Sequence, residues 1–126
     1  MCQGNQGGLV IDNLANVFYL DVDIIVNIQG DEPLVRPDMI EAAAAPLLSH
    51  PELSAVNLVA PIFNEAEFQN PNAPKVVTDC KGDILFISRE PIPSNKKADD
   101  LNYQKRMQLG LIAFTGEFLR IFAHLE

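Results

Sequence analysis

The sequence predicts an α/β fold on an open, mainly parallel sheet with one antiparallel excursion, and three observations lead there. Short apolar runs rich in β-branched residues alternate with stretches of helical period, the order of strand–helix–strand units. Two runs, Lys75 to Thr78 and Ile84 to Ser88, flank the glycine-containing stretch Asp79 to Asp83, which has the length of a hairpin turn. Hydrophobic residues make up 48% of the 126 positions, enough for a core and too many for a disordered chain. That length suits one domain, so residues 1–126 are read together, with no internal boundary and no repeat.

Each element has its own signal. Residues 9–20 read as a helix, because Ile11, Leu14, Ala15 and Phe18 fall on one face. Asp23 to Ile28 is a short apolar run that stops at Gln29-Gly30, as a buried strand does. Pro37 suits the first position of a helix, and the alanine-rich stretch Asp38 to Leu48 continues it until Pro46 ends or kinks it. Ser54 to Ile62 reads as a strand, with Val56, Leu58 and Ala60 alternating. Residues 64–74 are rich in Asn and Pro and hold at most a short helix over Glu65 to Phe68. After the hairpin, residues 90–106 are polar, carry Pro91 and Pro93, and read as a long loop of the kind that often carries function. Leu109 to Phe114 is a further strand. Thr115 then suits the N-cap of a last helix with Phe118, Ile121, Phe122 and Leu125 on one side.

Charge narrows the function. The formal net charge of −8 argues against a nucleic-acid binder, which needs a basic face to displace counterions from phosphates. Seven of the nine Lys and Arg residues nevertheless lie between Lys75 and Arg106. A basic segment on an acidic chain suits a small anionic ligand, and equally a solvated loop. Cys2 and Cys80 form neither a disulfide framework nor a zinc pattern, which fits a reducing compartment. The start, Met1 to Gly8, lacks the basic and apolar regions of a signal peptide, and Val22 to Ile28 falls far short of the roughly 20 residues that span a bilayer. A cytoplasmic protein without a membrane partner is expected.

The segment Asn27-Ile28-Gln29-Gly30-Asp31-Glu32-Pro33 carries the clearest chemistry. It falls at the carboxyl end of a strand, where open α/β sheets bind ligands. Gly30 can let a backbone approach a ligand, Asp31 offers the hard oxygen that Mg²⁺ prefers, and Gln29 offers a donor and an acceptor. An acidic turn closing a strand reads the same way. A second segment runs from Asn70-Pro71-Asn72-Ala73-Pro74-Lys75 through the hairpin to Ser88-Arg89-Glu90-Pro91-Ile92-Pro93. There Lys75 and Arg89 could hold phosphate or carboxylate oxygens, Arg89 as a planar fork, or serve only in surface ion pairs. His50 and His124 read as surface residues at helix ends.

Asn27 to Pro33, Phe68 to Val77 and Asp83 to Pro93 resemble, in order and at family spacing, signatures of the 3-deoxy-manno-octulosonate (Kdo) cytidylyltransferases, or CMP-Kdo synthetases. Gln108 to Phe122 is similar to the strand and helix that follow, so the resemblance covers about residues 22–125. It implies a three-layer α/β/α nucleotide-diphosphosugar transferase fold, Rossmann-like, with a mixed sheet. It implies transfer of CMP from CTP to Kdo for lipopolysaccharide synthesis, with Mg²⁺ as cofactor and a homodimer built partly on the hairpin region. By position, Asp31 would be catalytic and hold the metal, and Arg89 would be catalytic in holding the sugar acid. Gln29, Gly30, Lys75 and Gln108 would contact substrate. The family's basic phosphate-gripping loop and its later metal-binding Asp have no counterpart here, so the chain resembles the central part of a family domain. Gln108 stands where the family usually has His and Ile112 where it often has Tyr. A modified Kdo, another acidic sugar, or a non-catalytic copy that only dimerises are the alternative readings.

Overall fold

The computed structural model describes residues 22–94 and 103–125. The helix expected over residues 9–20 and the middle of the long loop lie outside them. The described elements are β1 (Ile24–Ile28), α1 (Pro37–Ser49), β2 (Ala55–Pro61), α2 (Glu65–Gln69), β3 (Lys75–Thr78), β4 (Ile84–Ser88), β5 (Arg106–Thr115) and α3 (Gly116–Phe122).

The five strands form one sheet with β5 as its spine. Residues Ile112 to Phe114 pair with β1 and β2 at once, so these two strands take opposite edges of β5. Met107 pairs with Ala60 of β2 and Lys75 of β3, so β3 shares the β1 edge and carries β4 beyond it. All of these pairings are antiparallel. The mainly parallel sheet expected from the element order is therefore corrected: every pairing among the described strands is antiparallel. β1 and β2 do run parallel to each other across α1, but β5 is inserted between them from far along the chain. β5 also starts earlier than Leu109, because Arg106 to Gln108 pair with the last residues of β2. Tertiary pairing overrides their polar character.

α1 covers one face of this sheet. Ala43 and Leu47 bury themselves on Ala113, with Ile24, Val26, Leu53 and Val56 around them. Ala43 and Ala113 are both fully buried, and two small side chains let helix and sheet come close. Arg36 forks onto the Asp38 carboxylate at 2.9 and 2.8 Å across the start of the helix. That hydrogen-bonded pairing holds the Asp38 carboxyl below its ordinary range. Pro46 does not end α1, which runs on to Ser49. A helix-interior proline costs roughly 3 kcal/mol. Burial of Leu47, worth about 2 kcal/mol, is of the same order, and Pro46 sits only one turn from the end.

α3 begins as expected, with Thr115 Oγ1 accepting from the Phe118 amide at 3.2 Å. Its buried side chain is Leu119, whereas Ile121, Phe122 and Leu125 are exposed. Phe114, Phe118 and Phe122 stack in a row with ring centroids 6.0 and 5.9 Å apart. His50 and His124 lie exposed just past α1 and α3.

Leu47→Ala should lower the unfolding free energy by about 2–4 kcal/mol, read from the shift of the urea midpoint. A shift below about 0.5 kcal/mol would show that α1 does not depend on this contact.

Candidate substrate site at the end of β1

β1 stops at Ile28, but its ladder against β5 continues for one more bond, Gln29 N–H to the Gly110 carbonyl at 2.8 Å. The chain then turns through Gly30 and Asp31, and Glu32 comes back onto the same residue. Its Oε1 accepts from the Gly110 amide at 2.7 Å. Gly110 thus grips the turn at both ends. A Cβ at position 110 would lie 2.7 Å from Glu32 Cγ and 2.9 Å from Gln29 Oε1, so any larger residue would push these two side chains out of place. The glycine expected to matter, Gly30, has no positive φ and open space where a side chain would go.

The docked turn forms one wall of a cleft of about 230 Å³, lined by Gln29, Asp31, Glu32, Asn72, Arg89 and Gln108 together with Pro74, Leu109 and Gly110. The lining is mostly polar: carboxylates on the β1 side, a guanidinium and a carboxamide on the β3–β4 side, and Gln108 from β5. That volume is below the roughly 300–1,000 Å³ typical of drug-sized ligands and suits a smaller polar one. A larger cleft of about 560 Å³ lies beside β3 and the Asp79 turn. Arg106 on its wall already donates to Thr78 Oγ1 at 2.8 Å, and no carboxylate pair faces it.

Four of the six expected site residues, Gln29, Asp31, Arg89 and Gln108, meet in the smaller cleft. Gly30 is in the turn but not in the lining. Lys75 has a different place from the one expected of a substrate ligand. Its side chain is fully buried, and its Nζ donates to the carbonyls of Asn70 at 2.6 Å and Arg89 at 2.8 Å. The Arg89 guanidinium in turn donates to the Pro71 carbonyl at 2.9 Å. Lys75 therefore clamps the Asn70–Ala73 loop to the end of β4 and sets where Asn72 and Arg89 stand. Burial pushes its pKa below the ordinary 10.5, while the Glu90 carboxylate pulls it up. Glu32, Asn72, Gly110 and Asn57, which bonds Gln108, were not singled out from sequence. Asn72 lies in the Asn-Pro-Asn-Ala stretch of the second segment, but nothing local marks Gly110 or Asn57.

Lys75→Met, which keeps the aliphatic stem, should cost about 2–4 kcal/mol at pH 7 by leaving two carbonyls without their charged donor. The folded chain gives up the Lys75 proton at lower pH than the unfolded chain does. The parent therefore gains stability over this variant as pH climbs toward 10.5. Paired urea melts at pH 7 and pH 10 check both signs: no cost at pH 7 would refute the clamp, and a gap that narrows with pH would refute the lowered pKa.

A family model described as cytidylyltransferase matches residues 10–122. The 3-deoxy-manno-octulosonate cytidylyltransferase of Syntrophotalea carbinolica is 42% identical over 122 residues, covering 90% of this chain and 49% of the relative. The protein of the same name in Geobacter metallireducens is 40% identical over 124 residues, with 90% and 49% covered. A solved CMP:2-keto-3-deoxy-manno-octonic acid synthetase complexed with CTP matches with a TM-score of 0.78 at 29% identity, over 90% of this chain and 46% of that one. The chain spans about half the length of the curated relatives it matches. The mixed α/β fold of that synthetase is the fold observed here. The chain belongs to the cytidylyltransferase family, and within it is similar to the 3-deoxy-manno-octulosonate cytidylyltransferases.

Proposed function

We propose that this chain forms the central part of an enzyme that transfers CMP from CTP to Kdo, releasing pyrophosphate. The observation that carries the reading is the cleft itself, where Asp31 and Glu32 face Arg89, Asn72 and Gln108 at the carboxyl end of β1. Arg89 has one donor on the Pro71 carbonyl, and the planar fork of its guanidinium suits a sugar carboxylate. Gln29, Asn72 and Gln108 are neutral groups of the kind that bind hydroxyls. The similarity to a synthetase solved with CTP supports the nucleotide half of the reading.

The reaction is an in-line displacement. The anomeric hydroxyl of Kdo attacks the α-phosphorus, the new C–O–P link forms as the α–β anhydride breaks, and the hydroxyl proton is lost to water. Both substrates are anions, so the protein's work is to position them and offset charge. Arg89 would neutralise the sugar carboxylate beside the incoming triphosphate. Asp31 fits a magnesium ion, which takes one or two carboxylates plus substrate phosphates. Glu32 has one oxygen engaged by Gly110. No cluster of three metal-ligating side chains occurs among the described residues. When bound, such an ion would offset the triphosphate's charge and stabilise the leaving pyrophosphate.

A homodimer is part of the same reading. In β4, Leu85 and Phe86 are 64% and 62% exposed, and Ile84 and Ile87 are exposed beside them. An edge strand with four consecutive exposed apolar side chains matches an interface between copies. Among the described residues no helix is long and apolar enough to cross a membrane. Cytoplasmic CTP and the free thiol of Cys80 suit a cytoplasmic enzyme.

The folded chain should release pyrophosphate from CTP only when Kdo and Mg²⁺ are both present, and Asp31→Asn should slow this roughly tenfold or more. Turnover that needs neither Kdo nor Mg²⁺ would count against the reading, as would a folded chain that binds neither CTP nor Kdo. Phe86→Asp should convert a dimer to a monomer in light scattering; a parent that is already monomeric would remove the dimer from the proposal.

A further inference from the structure

We propose that Asn57 is a positioning residue that locks the Gln108 carboxamide, so that the cleft offers its sugar a neutral acceptor, Gln108 Oε1, for one hydroxyl group. The inference rests on the sugar-acid reading above and names how that site selects its sugar.

The lock begins with a bulge. Between the pairs Asn57↔Ile112 and Val59↔Gln108, β2 has only Leu58 while β5 has Leu109, Gly110 and Leu111. Bulges beside a site re-aim side chains. On the β1 edge this bulge presents Gly110 to the docked turn. On the β2 edge it brings the Leu109 carbonyl to Asn57, whose Nδ2 donates to it at 3.5 Å and to the Leu58 carbonyl at 3.3 Å.

Those two carbonyls decide which way the amides point. A carbonyl can only accept, so the nitrogen of Asn57 must face them and its Oδ1 must face away. Gln108 Nε2 donates to that Oδ1 at 2.8 Å. The nitrogen of Gln108 is therefore turned toward Asn57, and Oε1 remains for the cleft that Gln108 lines with Asp31, Asn72 and Arg89. The flipped amide would set two oxygens against each other at the same distance. Gln108 carries no charge at any pH, so the carboxylate of a bound sugar acid falls to Arg89. The group selected at Gln108 is a hydroxyl that donates.

The test uses the whole chain and two readouts. In calorimetric titrations, Asn57→Leu should weaken Kdo binding about tenfold while CTP with Mg²⁺ binds as before. Gln108→Met should weaken Kdo similarly, and adding Asn57→Leu to it should cost nothing more. One Kdo analogue lacking a single hydroxyl should bind the parent about tenfold more weakly than Kdo, yet bind Gln108→Met no worse than Kdo does. In NMR of the unliganded chain, a slowly exchanging Gln108 side-chain amide proton should be seen and should be lost in Asn57→Leu. The inference is overturned by unchanged Kdo affinity in Asn57→Leu, by an equal loss of CTP affinity, by the same loss in the Gln108→Met background, or by an unprotected Gln108 amide in the parent. CTP binding without Kdo binding overturns this inference alone. A folded parent that binds neither ligand overturns the functional reading and this inference with it.

Discussion

The Gln29–Glu32 turn rests on Gly110 through two hydrogen bonds, and the missing side chain of Gly110 leaves room for the Glu32 side chain that makes one of them. The Glu32 bond joins residues 78 positions apart, so it ties the end of β1 to a strand laid down much later in the chain. The bulge in β5 lies at the same place. Opposite Leu58 it gives β5 two residues more than β2, and these form the point where the turn docks. Asp31 is carried on that turn, so its position in the cleft follows from a glycine that bears no functional group.

The opposite wall has an equally indirect support. Lys75 contributes no surface to the cleft, yet its buried ammonium joins the carbonyls of Asn70 and Arg89. Burying a charge is tolerated where it is hydrogen-bonded, and two of the three ammonium donors of Lys75 rest on backbone carbonyls. Asn72 and Arg89 both hang from the segments so joined. One wall is thus pinned by the absence of a side chain and the other by a long cation.

The basic segment resolves into separate duties. Lys75 is structural. Lys105 pairs with the Glu65 carboxylate at 2.7 Å and sits 4.0 Å above the centre of the Phe68 ring. Arg106 bonds Thr78, and Lys81 is exposed on the hairpin turn. Arg89 is the cation that reaches the smaller cleft among the described residues. Of the five described members of the charge run, three hold the fold, Lys81 is exposed on a turn and Arg89 lines the cleft.

The sequence by itself determined those described elements whose causes are local. Local patterns such as β-branched runs, Pro37 at a helix start, the Thr115 cap and the hairpin turn are short-range in cause, and each reappears in the structure. The placement of Gln29, Asp31 and Arg89 together followed from spaced motifs resembling a known family, since no single one of them is specific. Only the tertiary structure decided the sheet order, because insertion of β5 between β1 and β2 depends on pairing between distant segments. It also decided that Gly110 receives the turn, that Lys75 is a clamp, and that Asn57 faces Gln108. Those roles come from the neighbours that a residue meets across strands. A sequence read along its length shows which groups are present, whereas close approach and burial determine how each one is used.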